Sequence, residues 1–315
     1  MGCHDLFFKN IFSIRENAAD FILHTLAPEL VEEMDLTTLT IEKGSHVDAA
    51  LAENFSDTVY NCRFSGSRIK IALLFEHKSA PDANLPFQLH RYMGNLWENS
   101  VKQKQPRLPV ITIVLYHGRT AWTPGFLITR FHKWPEAVKP YIPDFEFAFV
   151  DLSAYSNEDI KAGVFKAVSL RIALLIMKNI FDQRKLEHLL TQFLEIGRAY
   201  FEEARGLKFL EAVINYILQA SEIEPDKLIK SIARISEKGE DIAMTTAEKL
   251  RQEGIQKGRQ EGRQEGRQAP AAGREGSGRG AAGQGRAGPW RRGRGGQPRG
   301  CQDHRDDRDA RRRRR

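Results

Sequence analysis

The sequence predicts an α/β fold in which a mixed sheet is flanked by helices and is followed by a C-terminal helical region. Apolar residues recur at helical spacing in two segments, 5–26 and 87–103. Runs of β-forming residues predict strands at 35–47, 56–64, 68–78, 110–116 and 145–150. Beyond residue 157 the periodicity is helical throughout, over 158–180, 184–204, 207–221 and 225–236.

These patterns divide the chain into three parts: 1–156, 157–250 and 251–315. In the last part, glycines recur at 254, 258, 262 and 266, and no Val, Ile, Leu, Met, Phe or Tyr follows Ile255. Such a segment cannot bury a core, so we expect a disordered tail.

From about residue 269 the tail becomes rich in Arg, Gly, Ala and Pro and ends in Arg311–Arg315. One hypothesis is an electrostatic tether that binds DNA without sequence preference. The other is a frameshift in a GC-rich gene, which the codons of these amino acids favour.

The charge of the chain is divided unevenly. The whole chain has a net charge of +7, and residues 251–315 carry 19 Lys+Arg and 8 Asp+Glu, leaving 29 and 33 in residues 1–250. The part predicted to fold is therefore slightly acidic. A nucleic-acid function cannot be argued from the basic pI, because that pI belongs to the tail.

Cysteine usage and apolar runs predict a soluble, cytoplasmic protein. Cys3, Cys62 and Cys301 are scattered, without metal-finger spacing. The start of the chain lacks the apolar run of a signal peptide. The most apolar stretch, 172–177, is far too short to span a bilayer.

A predicted hairpin brings candidate site residues together. A type II′ turn at Gly66-Ser67 would place Asp57 directly opposite Glu76, with Lys78 on the same face. The same register gives the other face the pairs Phe64–Ile69, Cys62–Ile71, Tyr60–Leu73 and Thr58–Phe75, which is almost wholly apolar, as a half-buried ribbon requires. It also places Arg63 opposite Lys70, near the turn and in solvent.

Two facing carboxylates repel each other, and a divalent cation between them would make the pair favourable. Oxygen ligands suit Mg²⁺ or Mn²⁺, and a lysine beside them could stabilise a phosphoryl transition state. The competing interpretation of Glu76-x-Lys78 is an exposed ion pair on a strand. Gln88 and Tyr92, four residues apart, share one face of the following helix.

Asp57, Glu76-x-Lys78 and Gln88-x-x-x-Tyr92 resemble the PD-(D/E)XK (restriction-endonuclease-like) nuclease core. Further stretches resemble the Rpn family of recombination-promoting nucleases, also called YhgA-like transposases. These stretches are His4–Lys9, Phe75–Ser79, Arg91–Met93, Leu108–Gly118 and the Gly-spaced repeat. The resemblance covers about residues 4–268.

The resemblance implies a role for each site residue. Asp57 and Glu76 would be metal ligands and Lys78 a base-like catalytic residue, while Gln88 and Tyr92 would position the site or the DNA backbone. Glu16 is a candidate for a further site acid on the first helix, and the competing interpretation is that Glu16 is a solvated helix residue. His117, at the end of the central strand, could approach DNA or be structural.

The function implied is a Mg²⁺-dependent DNA endonuclease that promotes recombination, in mobile-element or phage conflict. Its partner would be DNA, and a homodimer could cut both strands. The alternatives are a catalytically inactive DNA-binding or regulatory protein of the same fold, and a DDE-type transposase. The transposase mechanism needs three spaced acids on another sheet topology and does not use the Glu-x-Lys lysine.

Overall fold

The computed structural model describes residues 2–42, 56–76 and 81–268, and its centre is a five-stranded mixed sheet. The strands lie in chain order: β1 (Met34–Ile41), β2 (Ser56–Phe64), β3 (Ser67–Glu76), β4 (Val110–Tyr116) and β5 (Ala148–Asp151). The first three are antiparallel, and β4 and β5 run parallel to β3. The predicted mixed sheet with flanking helices is confirmed.

Helices surround the sheet and form the second half of the described chain. They are α1 (Cys3–Phe12), α2 (Arg15–Thr25), α3 (Pro28–Glu32), α4 (Leu85–Lys102), α5 (Asn157–Ala162), α6 (Val168–Asn179), α7 (Gln183–Glu195), α8 (Ala204–Ala220), α9 (Pro225–Ala233) and α10 (Glu237–Gln268). Among the described residues, every helix is too short or too polar to cross a membrane.

The sheet is covered on both faces, because its strands alternate apolar residues between two cores. Tyr60, Cys62 and Ile71 belong to the large core under α1, α2 and the C-terminal helices. Val59 and Val114 belong to a smaller core under α4. This alternation follows from the two-residue period of a strand. The result is a three-layer arrangement.

The predicted register of the β2–β3 hairpin is wrong by two residues. The turn is formed by Ser65 and Gly66, and Phe64 pairs with Ser67. Both turn residues have positive φ, 45° and 78°, as in a type I′ turn. Glu33, which precedes β1, holds the turn: its carbonyl accepts a 2.9 Å hydrogen bond from the Ser65 amide, and its carboxylate accepts one from the Ser65 hydroxyl.

A shift of two residues leaves every side chain on its predicted face, because the strand period is also two. Tyr60, Cys62, Ile69 and Ile71 are buried in the large core as expected. The individual pairs differ: Asn61, and not Arg63, lies opposite Lys70. The predicted faces are thus confirmed, and the predicted partners are not.

The large core is continuous from the sheet to the C-terminal helices. The rings of Phe7 in α1 and Tyr216 in α8 are stacked, with centroids 4.1 Å apart. The His4 Nδ1 and Tyr216 hydroxyl are 2.7 Å apart, and both groups are buried. The first helix of the chain therefore joins the two halves.

The prediction of disorder from residue 251 is wrong for residues 251–268, which continue α10. Apart from its glycines, this segment consists almost wholly of Arg, Gln, Glu and Lys, which are good helix formers. Arg251 also pairs with Glu248 one turn earlier, at 2.8 Å. Residues 269–315, where the frameshift and tether hypotheses apply, lie outside the described residues.

Candidate functional site

The strand register places positions 57 and 76 close together on one face of the sheet. Asp57 pairs with Leu74, so Glu76 lies two residues further along β3 on the same face. The two positions are diagonal neighbours and do not face each other directly, which corrects the predicted pairing. Glu76 is also the last residue of β3 and pairs with Tyr116 at the end of β4. Lys78 lies outside the described residues.

Helix α4 covers this face. Val59 and Val114 of the sheet pack with Leu89, Tyr92 and Leu96 of the helix in the smaller core. Val59 lies two residues from Asp57 and thus shares its face. Tyr92 is only 1% exposed, so its ring is a core residue as well as a predicted site residue.

Gln88 lies one turn before Tyr92, near the start of α4. Its Nε2 donates a 3.1 Å hydrogen bond to Asp82 Oδ2, and Asp82 Oδ1 accepts one of 2.8 Å from the Asn84 amide. The Gln88 Oε1 is buried without a hydrogen-bond partner among the described residues. Sequence reasoning missed Asp82. The feature that could have revealed this residue is its position three residues before the start of the helix.

The structure does not bring Glu16 to this face. Glu16 is exposed in the first turn of α2. Burial raises the pKa of the Tyr60 hydroxyl, and the negative charge of Glu16 raises it further. Tyr60 belongs to the large core on the opposite face of the sheet. Glu16 therefore lies on the other side of the sheet from positions 57 and 76.

His117 is a buried residue of the other layer. It is 2% exposed, and its Nε2 donates a hydrogen bond to the carbonyl of Met177 in α6. Its ring lies 4.7 Å from that of Phe181, centroid to centroid. These contacts favour the structural alternative for His117.

A second buried polar pair, at the other end of β3, was also missed. Lys70 is 5% exposed, and its Nζ lies 2.6 Å from Glu42 Oε1 and 3.3 Å from Ser100 Oγ of α4. Lys70 shares the Asp57 face, because it pairs with Asn61. Sequence reasoning placed it in solvent, since a pairing to Glu42 cannot be read from hairpin spacing.

Carboxylates at positions 57 and 76 are of the residue type that would suit a hard divalent cation. No cluster of three or more His, Cys, Asp or Glu side chains suited to a metal occurs among the side chains that the structure describes, which do not include those of Asp57 and Glu76. Carboxylate oxygens from these two positions are the ligands that Mg²⁺ prefers. Gln88 Oε1, which is buried without a hydrogen-bond partner among the described residues, is a further oxygen on helix α4.

Comparison with known proteins places the chain in a family. The family model described as "Putative transposase, YhgA-like" matches residues 2–208. Recombination-promoting nuclease RpnC of Escherichia coli K12 is 29% identical over 80% of this chain and 82% of its own length. RpnA of the same strain is 29% identical over 80% of this chain and 85% of its own.

The relatives differ in the activity that their names record. The E. coli K12 protein named "Inactive recombination-promoting nuclease-like protein RpnE" is also 29% identical, over 80% of this chain and 83% of its own length. The chain is therefore equally similar to proteins named nucleases and to a protein named inactive. No solved structure is significantly similar to this chain.

Proposed function

The chain belongs to the family of YhgA-like transposases, and from this membership we propose that it is a Mg²⁺-dependent DNA endonuclease that promotes recombination. The observation that carries the proposal is the register of β2 and β3, which puts the positions of Asp57 and Glu76 on one face at the end of β3. The names of the relatives RpnC and RpnA support nuclease chemistry.

Each residue has a role in this proposal. Asp57 and Glu76 would hold the cation, and Gln88 Oε1, buried and unpartnered among the described atoms, would accept a hydrogen bond from a ligand water. When bound, Mg²⁺ supplies an activated water and neutralises charge on a phosphate oxygen. Lys78 would orient the nucleophile or stabilise the pentacovalent phosphate.

A catalytically inactive DNA-binding protein of the same fold is the second candidate. The name of the relative RpnE favours it, because that protein is as similar to this chain as the relatives named nucleases. Asp57, Glu76 and Lys78 are all present in this sequence, and they favour turnover. The DDE-type transposase needs three acids held together, and within residues 2–42, 56–76 and 81–268 the strand register supports one pair of positions, 57 and 76.

Nicking of supercoiled plasmid by the full chain separates these functions. We expect cutting with Mg²⁺ and none with EDTA, and a loss of roughly 100-fold or more in Asp57→Ala and Lys78→Ala. Glu211→Ala, which removes an exposed acid from α8 on the other side of the molecule, is the matched control and should cut normally. Full activity in either site variant, or cutting in EDTA, would refute the assignment.

A further inference from the structure

The segment between β4 and β5 presents large aromatic side chains to solvent. Residues 126–141, here called the aromatic segment, contain Phe126, Trp134 and Tyr141, which are 44%, 60% and 86% exposed. A folded protein normally buries most of a Trp ring. Several exposed rings within one short segment therefore indicate a binding surface.

The aromatic segment is held in a defined shape. It contains two 3₁₀ turns, Ile128–Phe131 and Glu136–Tyr141, and Leu127 between Phe126 and the first turn is 3% exposed. The Trp134 amide donates a 3.0 Å hydrogen bond to the Phe131 carbonyl. Trp134 is thus exposed on an ordered backbone, which reduces the entropy lost on binding.

The aromatic segment adjoins the candidate site. The ring of Phe131 lies 6.1 Å from that of Phe87, centroid to centroid. Phe87 belongs to the first turn of α4 and immediately precedes Gln88. A DNA strand that enters the candidate site along the start of α4 would therefore pass over the aromatic segment.

The charges of the aromatic segment are mainly positive. Lys139 is paired with Glu136 at 2.5 Å, whereas Arg130 and Lys133 are exposed and form no ion pair with a carboxylate that the structure describes. Exposed cations and exposed rings in one short segment match the two parts of a nucleotide, its phosphate and its base. An apolar protein partner would leave these cations unmatched.

We propose that the aromatic segment binds unpaired DNA, with bases stacked on Trp134 and Tyr141 and phosphates contacted by Arg130 and Lys133. Bases in a duplex are stacked on each other and cannot offer their faces, so the surface selects single-stranded or locally opened DNA. The inference rests on the proposed nuclease function and deepens it, because it names the form of DNA that reaches the site.

The test measures binding separately from cutting. Fluorescence anisotropy of the full chain in EDTA gives Kd values for a labelled oligo-dT and for a labelled hairpin duplex. Trp134→Leu keeps an apolar side chain but removes the aromatic face, and we expect it to weaken oligo-dT binding roughly tenfold. Trp134→Phe keeps a ring and should retain most of the affinity, and duplex binding should change little in either variant.

The charged residues give a matched pair of variants. Lys133→Gln should weaken both DNA forms and lower the slope of log K against log salt by about one. Lys208→Gln, an exposed lysine on α8 in the opposite layer, should change neither.

Three results would overturn the inference: normal oligo-dT binding by Trp134→Leu, an equal loss of oligo-dT and duplex binding in Trp134→Leu, or Trp134→Phe and Trp134→Leu variants that bind oligo-dT equally weakly. The last result would instead indicate a partner that recognises the shape of Trp134. Preserved oligo-dT selectivity without any plasmid nicking would refute the nuclease and leave this inference intact.

Discussion

Lys70 illustrates how a single buried charge can organise a strand end. Its ammonium group is enclosed by Glu42 after β1 and by Ser100 on α4, so it links three elements. The other carboxylate oxygen of Glu42 is buried without a partner among the described residues. Removal of one partner from such a pair destabilises the protein, because the other charge stays buried without its counter-ion.

Replacement of Lys70 should therefore be costly. We expect Lys70→Met to lower the free energy of unfolding by about 3 kcal/mol, and the double variant with Glu42→Leu to recover much of that loss. Urea unfolding of the four proteins of this cycle measures both values. Lys102→Met is the control: Lys102 pairs with Glu98 at 2.9 Å, but its side chain is 66% exposed, so the loss should stay below about 0.5 kcal/mol. A Lys70→Met protein as stable as the control would contradict the prediction.

The sequence predicted which residues share a face wherever the period of a strand or a helix decides it. The shared face of Asp57 and Glu76 follows from strand alternation, and the shared face of Gln88 and Tyr92 follows from helical spacing. The Asp82 contact to Gln88 and the Glu42 contact to Lys70 were not predictable, because each depends on how a loop approaches the sheet. The role of the Asp57 and Glu76 side chains as metal ligands stays a prediction.

At the scale of elements, the β2–β3 turn shows why a register is harder to predict than a face. Turns at Gly66-Ser67 and at Ser65-Gly66 give the same alternation, so the apolar pattern cannot choose between them. The choice is made by Glu33, which binds Ser65 from outside the hairpin. A local motif was thus decided by a non-local contact.

Two glycines should respond oppositely to the same substitution. Gly66 has a φ of 78°, so Gly66→Ala should lower the free energy of unfolding by about 1 kcal/mol. Gly94 is exposed within α4, and a Cβ there would meet nothing within 4 Å, so Gly94→Ala should raise the free energy by about 0.5–1 kcal/mol. Thermal or urea unfolding compares the two. A stabilised Gly66→Ala would show that the turn does not lie at Ser65 and Gly66.

For the end of the long helix α10, composition predicted the exposure of the side chains but not the helix itself. Composition correctly indicated that residues 251–268 bury no core, since the side chains described there are almost all exposed. It did not predict the helix, because a segment without apolar residues was expected to be disordered. A helix that continues from packed residues needs no new nucleation, so helix formers on its far side can extend it.

At the scale of the whole molecule, the sheet and the C-terminal helices share one core. Phe7, Phe8 and Ile11 of α1 belong to the same buried cluster as Phe209 and Ile214 of α8. The sequence indicated two regions by their change of periodicity but could not show that α1 would connect them. That contact spans more than 200 residues and leaves no local signal.

A shared core should unfold as one unit. Trp97, Trp122 and Trp134 all lie in the first half of the chain, whereas most of the described helix lies in the second half. In a Trp290→Phe background, tryptophan fluorescence and far-UV circular dichroism should therefore give the same urea midpoint. Midpoints that differ, with the helical signal lost separately, would show two independent units.

The burial of Tyr92 affects how related sequences should be interpreted. A protein of this family that has lost catalysis still needs a ring between α4 and the sheet, so selection for a folded chain alone would keep the tyrosine. Tyr92 is consequently a poor marker of activity. The carboxylates at positions 57 and 76 have no such packing role assigned, and their loss in a homologue would be the clearer sign of a nuclease that no longer cuts.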